Sequence, residues 1–145
     1  MRLTTHTDFA LRVLMALAVA GDKLMTIEDL ASRHRVSRNH LMKVAQNLVS
    51  LGLVNGVRGR RGGLSLAKNA SDIRMGAVVR ALETDQQLVA CLGDDTASCV
   101  FSGACRLTGM FGKALEAFFH ELDTLTLADL VQNRTAIQTR LQLVA

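Results

Sequence analysis

Three cysteines, Cys91, Cys99 and Cys105, are the residues of this chain best suited to chemistry. They are its full complement of thiols, spaced C-x7-C-x5-C within CLGDDTASCVFSGAC. Glycine, aspartate, serine and threonine fill the gaps, so the stretch reads as a loop. Three thiols in one loop can converge on one point. Thiolates suit soft metals, zinc and iron–sulfur clusters. The odd count means that disulfides alone cannot account for them. The four histidines are scattered, and no Ser/His/Asp or Cys/His constellation follows from residue order. The chain is therefore not expected to be an enzyme.

At 145 residues the chain is one domain, or one domain with an appendage. Hydrophobic residues make up 49%, enough to bury a core. Proline, tryptophan and tyrosine are absent, so the core is expected to be aliphatic and the chain mostly helical. The longest apolar run, Val13–Ala20, is far too short to span a bilayer. The N-terminus contains Asp8 and lacks a small-residue cleavage site after that run, so it does not read as a secretion signal. The expected location is the cytoplasm, where thiols stay reduced and free to bind metal. No membrane partner is expected.

The net charge of +4 conceals an asymmetry. Residues 30–71 hold eight Lys or Arg and no Asp or Glu. The remainder holds nine basic and thirteen acidic residues, a net of −4. A basic block on an otherwise acidic chain is the footprint of a polyanion-binding surface.

The elements that must position these groups can be read in order. Phe9, Val13, Leu14, Leu17 and Ala20 follow the helical period, which predicts a helix over 4–20 ended by Gly21. Asp8 lies near its start, where an acid is favoured by the helix dipole and can pair with Arg12. Thr26 caps a short helix, with Asp29 as the capping-box partner. After the turn at Arg35-Val36, Ser37 caps a longer helix over 38–51. Its apolar stripe is Leu41, Val44, Ala45, Leu48 and Leu51.

Two helices joined by a tight turn read as a helix-turn-helix, whose second helix reads the major groove of double-stranded DNA. Arg38, Asn39 and His40 stand at the N-terminal end of that helix, and Lys43 lies one turn on. Arginine matches guanine and asparagine matches adenine through paired hydrogen bonds. Arg33 and the capping Ser37 complete the expected contact set on these helices. Two short strands, 53–57 and 64–66, flank a glycine- and arginine-rich tip. They form a wing that carries Arg58, Arg60 and Arg61 to the phosphates or minor groove. A further helix is predicted over 72–83, capped by Ser71-Asp72. After the cysteine loop a long helix is predicted from about residue 105 to 131. Phe111, Leu115, Phe118, Leu122 and Leu125 form a heptad-like seam that calls for a second copy of the chain. Residues 132–145 read as a weakly specified tail. The fold class is thus mainly α, a winged helix-turn-helix with a small β-hairpin wing and a long C-terminal dimerisation helix.

The N-terminal helix LTTHTDFALRVLMALA, the winged helix-turn-helix with its GxRGRRGG tip, the three clustered cysteines and the long final helix together resemble the iron–sulfur winged-helix transcriptional regulators. The likeness covers nearly the whole chain, and the cysteine loop in that context makes it specific. It implies a homodimer in which each subunit's Cys91, Cys99 and Cys105 hold an iron–sulfur cluster. Such clusters commonly take four protein ligands. In the family's nitric oxide sensors the fourth is an aspartate near the start of the first helix, given by the other subunit, and Asp8 matches it. In members that regulate cluster assembly the fourth is a histidine three residues after the last cysteine, where this chain has Thr108. The resemblance is therefore nearest to the nitric oxide-sensing repressors. It implies a 4Fe–4S cluster, with 2Fe–2S as the alternative. The seven-residue first gap is longer than is usual in the family, and Asp94, Asp95, His6 and His34 are further candidates for the fourth position.

What the resemblance implies is a homodimeric repressor on a palindromic operator, with nitric oxide as the signal. Residues 1–70 would form the DNA-binding domain, and residues 71–145 the cluster loop and dimerisation helix. The alternatives are a regulator of the cluster-assembly type, a metal-free thiol redox regulator, and structural zinc on the three cysteines with a His or Asp.

Overall fold

The computed structural model describes residues 2–84, 88–89, 92–93 and 99–143. Helix α1 spans Thr5–Ala20. Thr4 caps it, its hydroxyl accepting from the Thr7 amide at 3.2 Å. Ala10, Val13, Leu14 and Leu17 recur at helical spacing and are all buried. Gly21, at φ +66, ends the helix in a conformation that costs other residues strain.

Helix α2 (Ile27–His34) begins with the expected capping box between Thr26 and Asp29. Arg35 takes the left-handed conformation at φ 54 and closes it. Ser37 then caps α3 (Arg38–Ser50) by accepting from the His40 amide at 3.2 Å. Strands β1 (Val54–Val57) and β2 (Gly63–Leu66) pair antiparallel, with Val54 opposite Leu66 and Val57 opposite Gly63. Met25 bridges to β2 through two backbone bonds with Leu64, at 3.1 and 2.8 Å. The wing is thereby tied to the connection between α1 and α2.

Three segments depart from the expected boundaries. Only a 3-10 turn forms at Ala70–Asp72, and α4 begins at Met75 and runs to Leu82. Ile73 and Arg74 are extended because they pair with a distant segment: the Leu127 amide donates to Ile73 O at 2.9 Å and the Met75 amide to Leu125 O at 3.0 Å. The same pairing breaks the predicted long helix. Helix α5 spans Arg106–Thr124, Leu125 is extended, and Thr126 caps a separate short α6 (Leu127–Leu130) through a second capping box. The tail is also ordered, forming α7 (Arg134–Arg140). Arg134 Nη2 and Gln138 Nε2 donate to Val19 O at 2.9 and 2.8 Å. That carbonyl is one of the groups α1 leaves unpaired at its C-terminal end.

One hydrophobic core holds these pieces together. Leu14, Leu17, Leu30, Leu41, Leu48 and Val54 share it with Ile73, Val78, Leu82 and Leu127, so segments before and after residue 70 pack as one unit. Full burial of each such side chain contributes about 1.5–3 kcal/mol. Helix α5 packs on α4. Arg80 makes a forked pair with Asp123 at 2.8 and 2.7 Å and lies 4.4 Å over the Phe119 ring. A Cβ at Gly76 would collide with the Asp123 carboxylate, so a side chain there displaces that group from its pair with Arg80.

Candidate DNA-binding face and cysteine loop

The helical period of α3 places Leu41, Val44, Ala45 and Leu48 in the core. The same period turns Arg38, Asn39, His40 and Lys43 to solvent on one side. Ser37 fixes the first turn through its cap. Arg38 Nε lies 3.1 Å from Glu28 Oε2, but both side chains are more than half exposed, so the pair is weak and exchangeable. Beside α3, the wing exposes Arg58, Arg60 and Arg61. Gly59 has φ +111, and a Cβ on Gly62 would overlap Val57 O, so the tight tip depends on both glycines. The two cationic sets belong to one unit because Met25 anchors β2 and α3 packs on both α1 and β1.

Arg33 is placed differently from the expected contact set. It is half-buried, and its Nη1 donates to the carbonyls of Leu141 and Gln142, the latter at 2.9 Å. It joins α2 to the tail.

Helix α1 touches the outward side of α3. His6 Nε2 and Asn47 Nδ2 are 3.0 Å apart, and the Phe9 and His40 rings are 6.3 Å apart. Asp8 lies between these two contacts in sequence. Its carboxylate pairs with Arg12 at 2.7 Å, and the two side chains are about half exposed, at 46% and 50% respectively. The local helix-start role read from the sequence is realised, and the carboxylate is still accessible from outside. His34 is a different case. Burial, reinforced by the charge of Arg12 and opposed by Asp8, pushes its imidazole pKa down, and its Nε2 is buried without a partner.

Of the cysteines, Cys99 is half-buried and Cys105 is exposed, and both are free thiols. Cys91 lies outside the described residues, as do Asp94 and Asp95. Backbone bonds from Ser102 to Cys99 O at 2.9 Å and from Cys105 to Phe101 O at 3.0 Å fold the connecting segment into tight turns, with Gly103 at φ +80. Cys105 immediately precedes α5. Val100 and Phe101, between the two thiols, are 95% and 69% exposed. Among the described residues, no three His, Cys, Asp or Glu side chains gather as a metal site. The expected donor set needs Cys91 and a carboxylate from a second subunit. The donor chemistry at hand, two free thiols on a tight turn, fits a soft-metal group.

Sequence reasoning missed Glu83. It is buried at 7% exposure, and its carboxylate accepts from the Thr4 amide at 2.7 Å and the Thr4 hydroxyl at 3.1 Å. Burial pushes its pKa up, but hydrogen bonds from Thr7 and Thr4 outweigh this and hold it low. A signal existed: Glu83 follows Val79 by four residues on the buried side of α4.

A helix-turn-helix followed by a basic hairpin defines a winged-helix DNA-binding protein. Residues 3–133 match the Rrf2 family, described as iron-dependent transcriptional regulators. The chain belongs to the Rrf2 family of transcriptional regulators and is not an enzyme. It is 40% identical over 144 residues to the HTH-type transcriptional regulator NsrR of Halalkalibacterium halodurans, covering 99% of each chain. It is 41% identical to NsrR of Bacillus subtilis, again over 99% of each. Among solved structures, CymR, the global cysteine regulator of B. subtilis, superposes with a TM-score of 0.75 at 24% identity, covering 92% of this chain and 98% of that one. IscR of T. potens superposes with a TM-score of 0.73 at 24% identity, covering 92% and 88%. These two likenesses establish the winged-helix fold. Among the described residues, no helix is long and apolar enough to cross a membrane.

Proposed function

We propose that the chain is a homodimeric transcriptional repressor that binds a palindromic operator and senses nitric oxide through an iron–sulfur cluster. The observation that carries this reading is the donor set. Three cysteines in one loop are accompanied by an accessible Asp8 on α1, while Thr108 stands where a histidine would complete the set locally. The full-length relationship to proteins named NsrR supports it. Cys91, Cys99 and Cys105 would hold the cluster, and Asp8 of the partner subunit would be the fourth ligand. The accompanying cluster type is 4Fe–4S. When bound, such a cluster supplies thiolate-held iron that reacts with nitric oxide.

The chain's own residues supply the coupling. Asp8 stands on α1 between His6 and Phe9, and those two residues touch Asn47 and His40 on α3. Holding Asp8 from across a subunit boundary therefore biases the recognition helix, and releasing it removes that bias. In this reading residues 1–70 contact DNA and residues 71–145 supply the cluster loop and the dimer helix. Arg38, Asn39, His40 and Lys43 face the major groove, with Ser37 setting the helix start. Arg58, Arg60 and Arg61 take phosphates or the minor groove. Arg33 acts indirectly through the tail. On α5, Leu107 and Met110 are 49% and 65% exposed, an apolar surface suited to a second copy.

The test is anaerobic purification with iron and sulfide analysis, followed by operator titration before and after nitric oxide. Operator affinity that is the same with and without cluster would sink the proposal. A colourless, iron-free protein whose DNA binding follows disulfide formation would favour the thiol regulator, and zinc in place of iron would favour a structural site. Asp8→Ala is expected to leave a labile cluster on the cysteines and weaker operator binding. Its effect on folding should be under about 1 kcal/mol, because the Arg12 pair is exposed.

A further inference from the structure

Beneath the C-terminal tail, three arginines gather. Arg33, Arg35, Arg140 and Ser32 line a polar cleft of about 400 Å³ that Leu141 and Gln142 close on one side. One carboxylate, Asp29, also faces it, but that group is held by the Thr26 amide and hydroxyl at 3.2 and 2.8 Å. Among the described residues, the guanidiniums of Arg35 and Arg140 make no hydrogen bond or ion pair. Arg33 spends Nη1 on tail carbonyls, and its Nε is buried with no acceptor. The only other such atom among the described residues is His34 Nε2, on the next residue. A buried donor without an acceptor costs about 1–3 kcal/mol. Among the described residues, three guanidiniums face one carboxylate in the cleft, which leaves two positive charges unanswered.

We propose that this cleft, between the α2–α3 turn and the tail, binds a phosphate group held by Arg33, Arg35 and Arg140. A free phosphate dianion answers both charges and a backbone phosphodiester one of them, and the oxygens of either suit the forked donors of guanidinium groups. A carboxylate would bring one charge and two acceptors. Because Arg35 sits in the turn that precedes the recognition helix, the phosphate has two available sources, a DNA backbone or free phosphate in solution. The bound anion would also fasten the tail to the helix-turn-helix, since Arg33 and Arg140 belong to the two parts. This site is independent of the cluster and of Asp8.

The experiment is calorimetric titration of the full chain with inorganic phosphate, at ionic strength held constant with chloride. The wild type is expected to bind saturably. The double variant Arg35→Gln/Arg140→Gln removes two of the three guanidiniums and should bind at least about tenfold more weakly, since the loss of even one charge-assisted hydrogen bond is worth about that factor. Arg140→Lys keeps the charge and should retain part of the affinity. Titration of a mixed-sequence duplex separates the sources. If DNA supplies the phosphate, the double variant lowers the slope of log affinity against log salt by about 0.9. If free phosphate is the ligand, the slope is unchanged while phosphate affinity still falls. Equal phosphate affinity in wild type and double variant, both folded by circular dichroism, together with an unchanged slope, would overturn the proposal.

Discussion

Replacing Glu83 by glutamine tests how the first helix is held. The Glu83 carboxylate accepts from the Thr4 amide at 2.7 Å, from the Thr4 hydroxyl at 3.1 Å and from Thr7, and the residue is 7% exposed. Thr7 itself is fully buried, at 0%. Glutamine keeps the shape and one acceptor oxygen but removes the charge that strengthens these bonds. A hydrogen bond to a charged group contributes about 1.5–3 kcal/mol, against roughly 0.5–1.5 for a neutral one. The net loss for Glu83→Gln is then about 1–2 kcal/mol at neutral pH. For a chain of this size that lowers Tm by about 3–7 °C.

The pH dependence fixes the mechanism. The folded-state pKa of Glu83 lies below its ordinary value of 4.5. Its contribution to stability is therefore complete above that value and is lost as pH falls through the folded pKa. Urea unfolding followed by circular dichroism should show the full gap between wild type and variant at about pH 7. The gap should narrow below pH 4.5. A gap that persists unchanged in acid, or no gap at neutral pH, refutes the assignment of the clasp to an ionised carboxylate.

The remaining predictions concern packing and DNA. Gly76→Ala places a methyl group against the Asp123 carboxylate and should cost about 1–3 kcal/mol, read as a lower urea midpoint with unchanged m-value. Arg60→Gln and Arg61→Gln should each leave the fold intact, because both side chains are exposed at the wing tip. Each should weaken DNA binding similarly across sequences. The salt slope should fall by about 0.9 for every phosphate no longer neutralised, measured by fluorescence anisotropy at several salt concentrations.

The head of the protein was legible because its signals are local. Capping boxes, helical stripes and a left-handed turn act within about four residues, so Thr26, Asp29 and Ser37 mark their helices without outside help. The second half was less legible. Seam residue Leu125 carries the right apolar character for a continuing helix, yet its backbone bonds to Met75 instead. The tail offers scattered leucines and no clear stripe, yet Arg134 and Gln138 anchor it to Val19 O. Arg33 reads as one more cation in a basic block, and only the folded chain directs it to the tail.

By itself the sequence determined the winged helix-turn-helix, the cationic wing and the thiol donor types, since periodicity, caps and side-chain chemistry are local properties. The tertiary structure decided which of those groups are engaged. It made Glu83 a buried clasp on Thr4 across 79 positions and gave Arg33 to the tail across 108. It also left Asp8 accessible on α1. Contacts at such separations depend on how the helices pack around one core. No pattern of spacing within a single element can encode them.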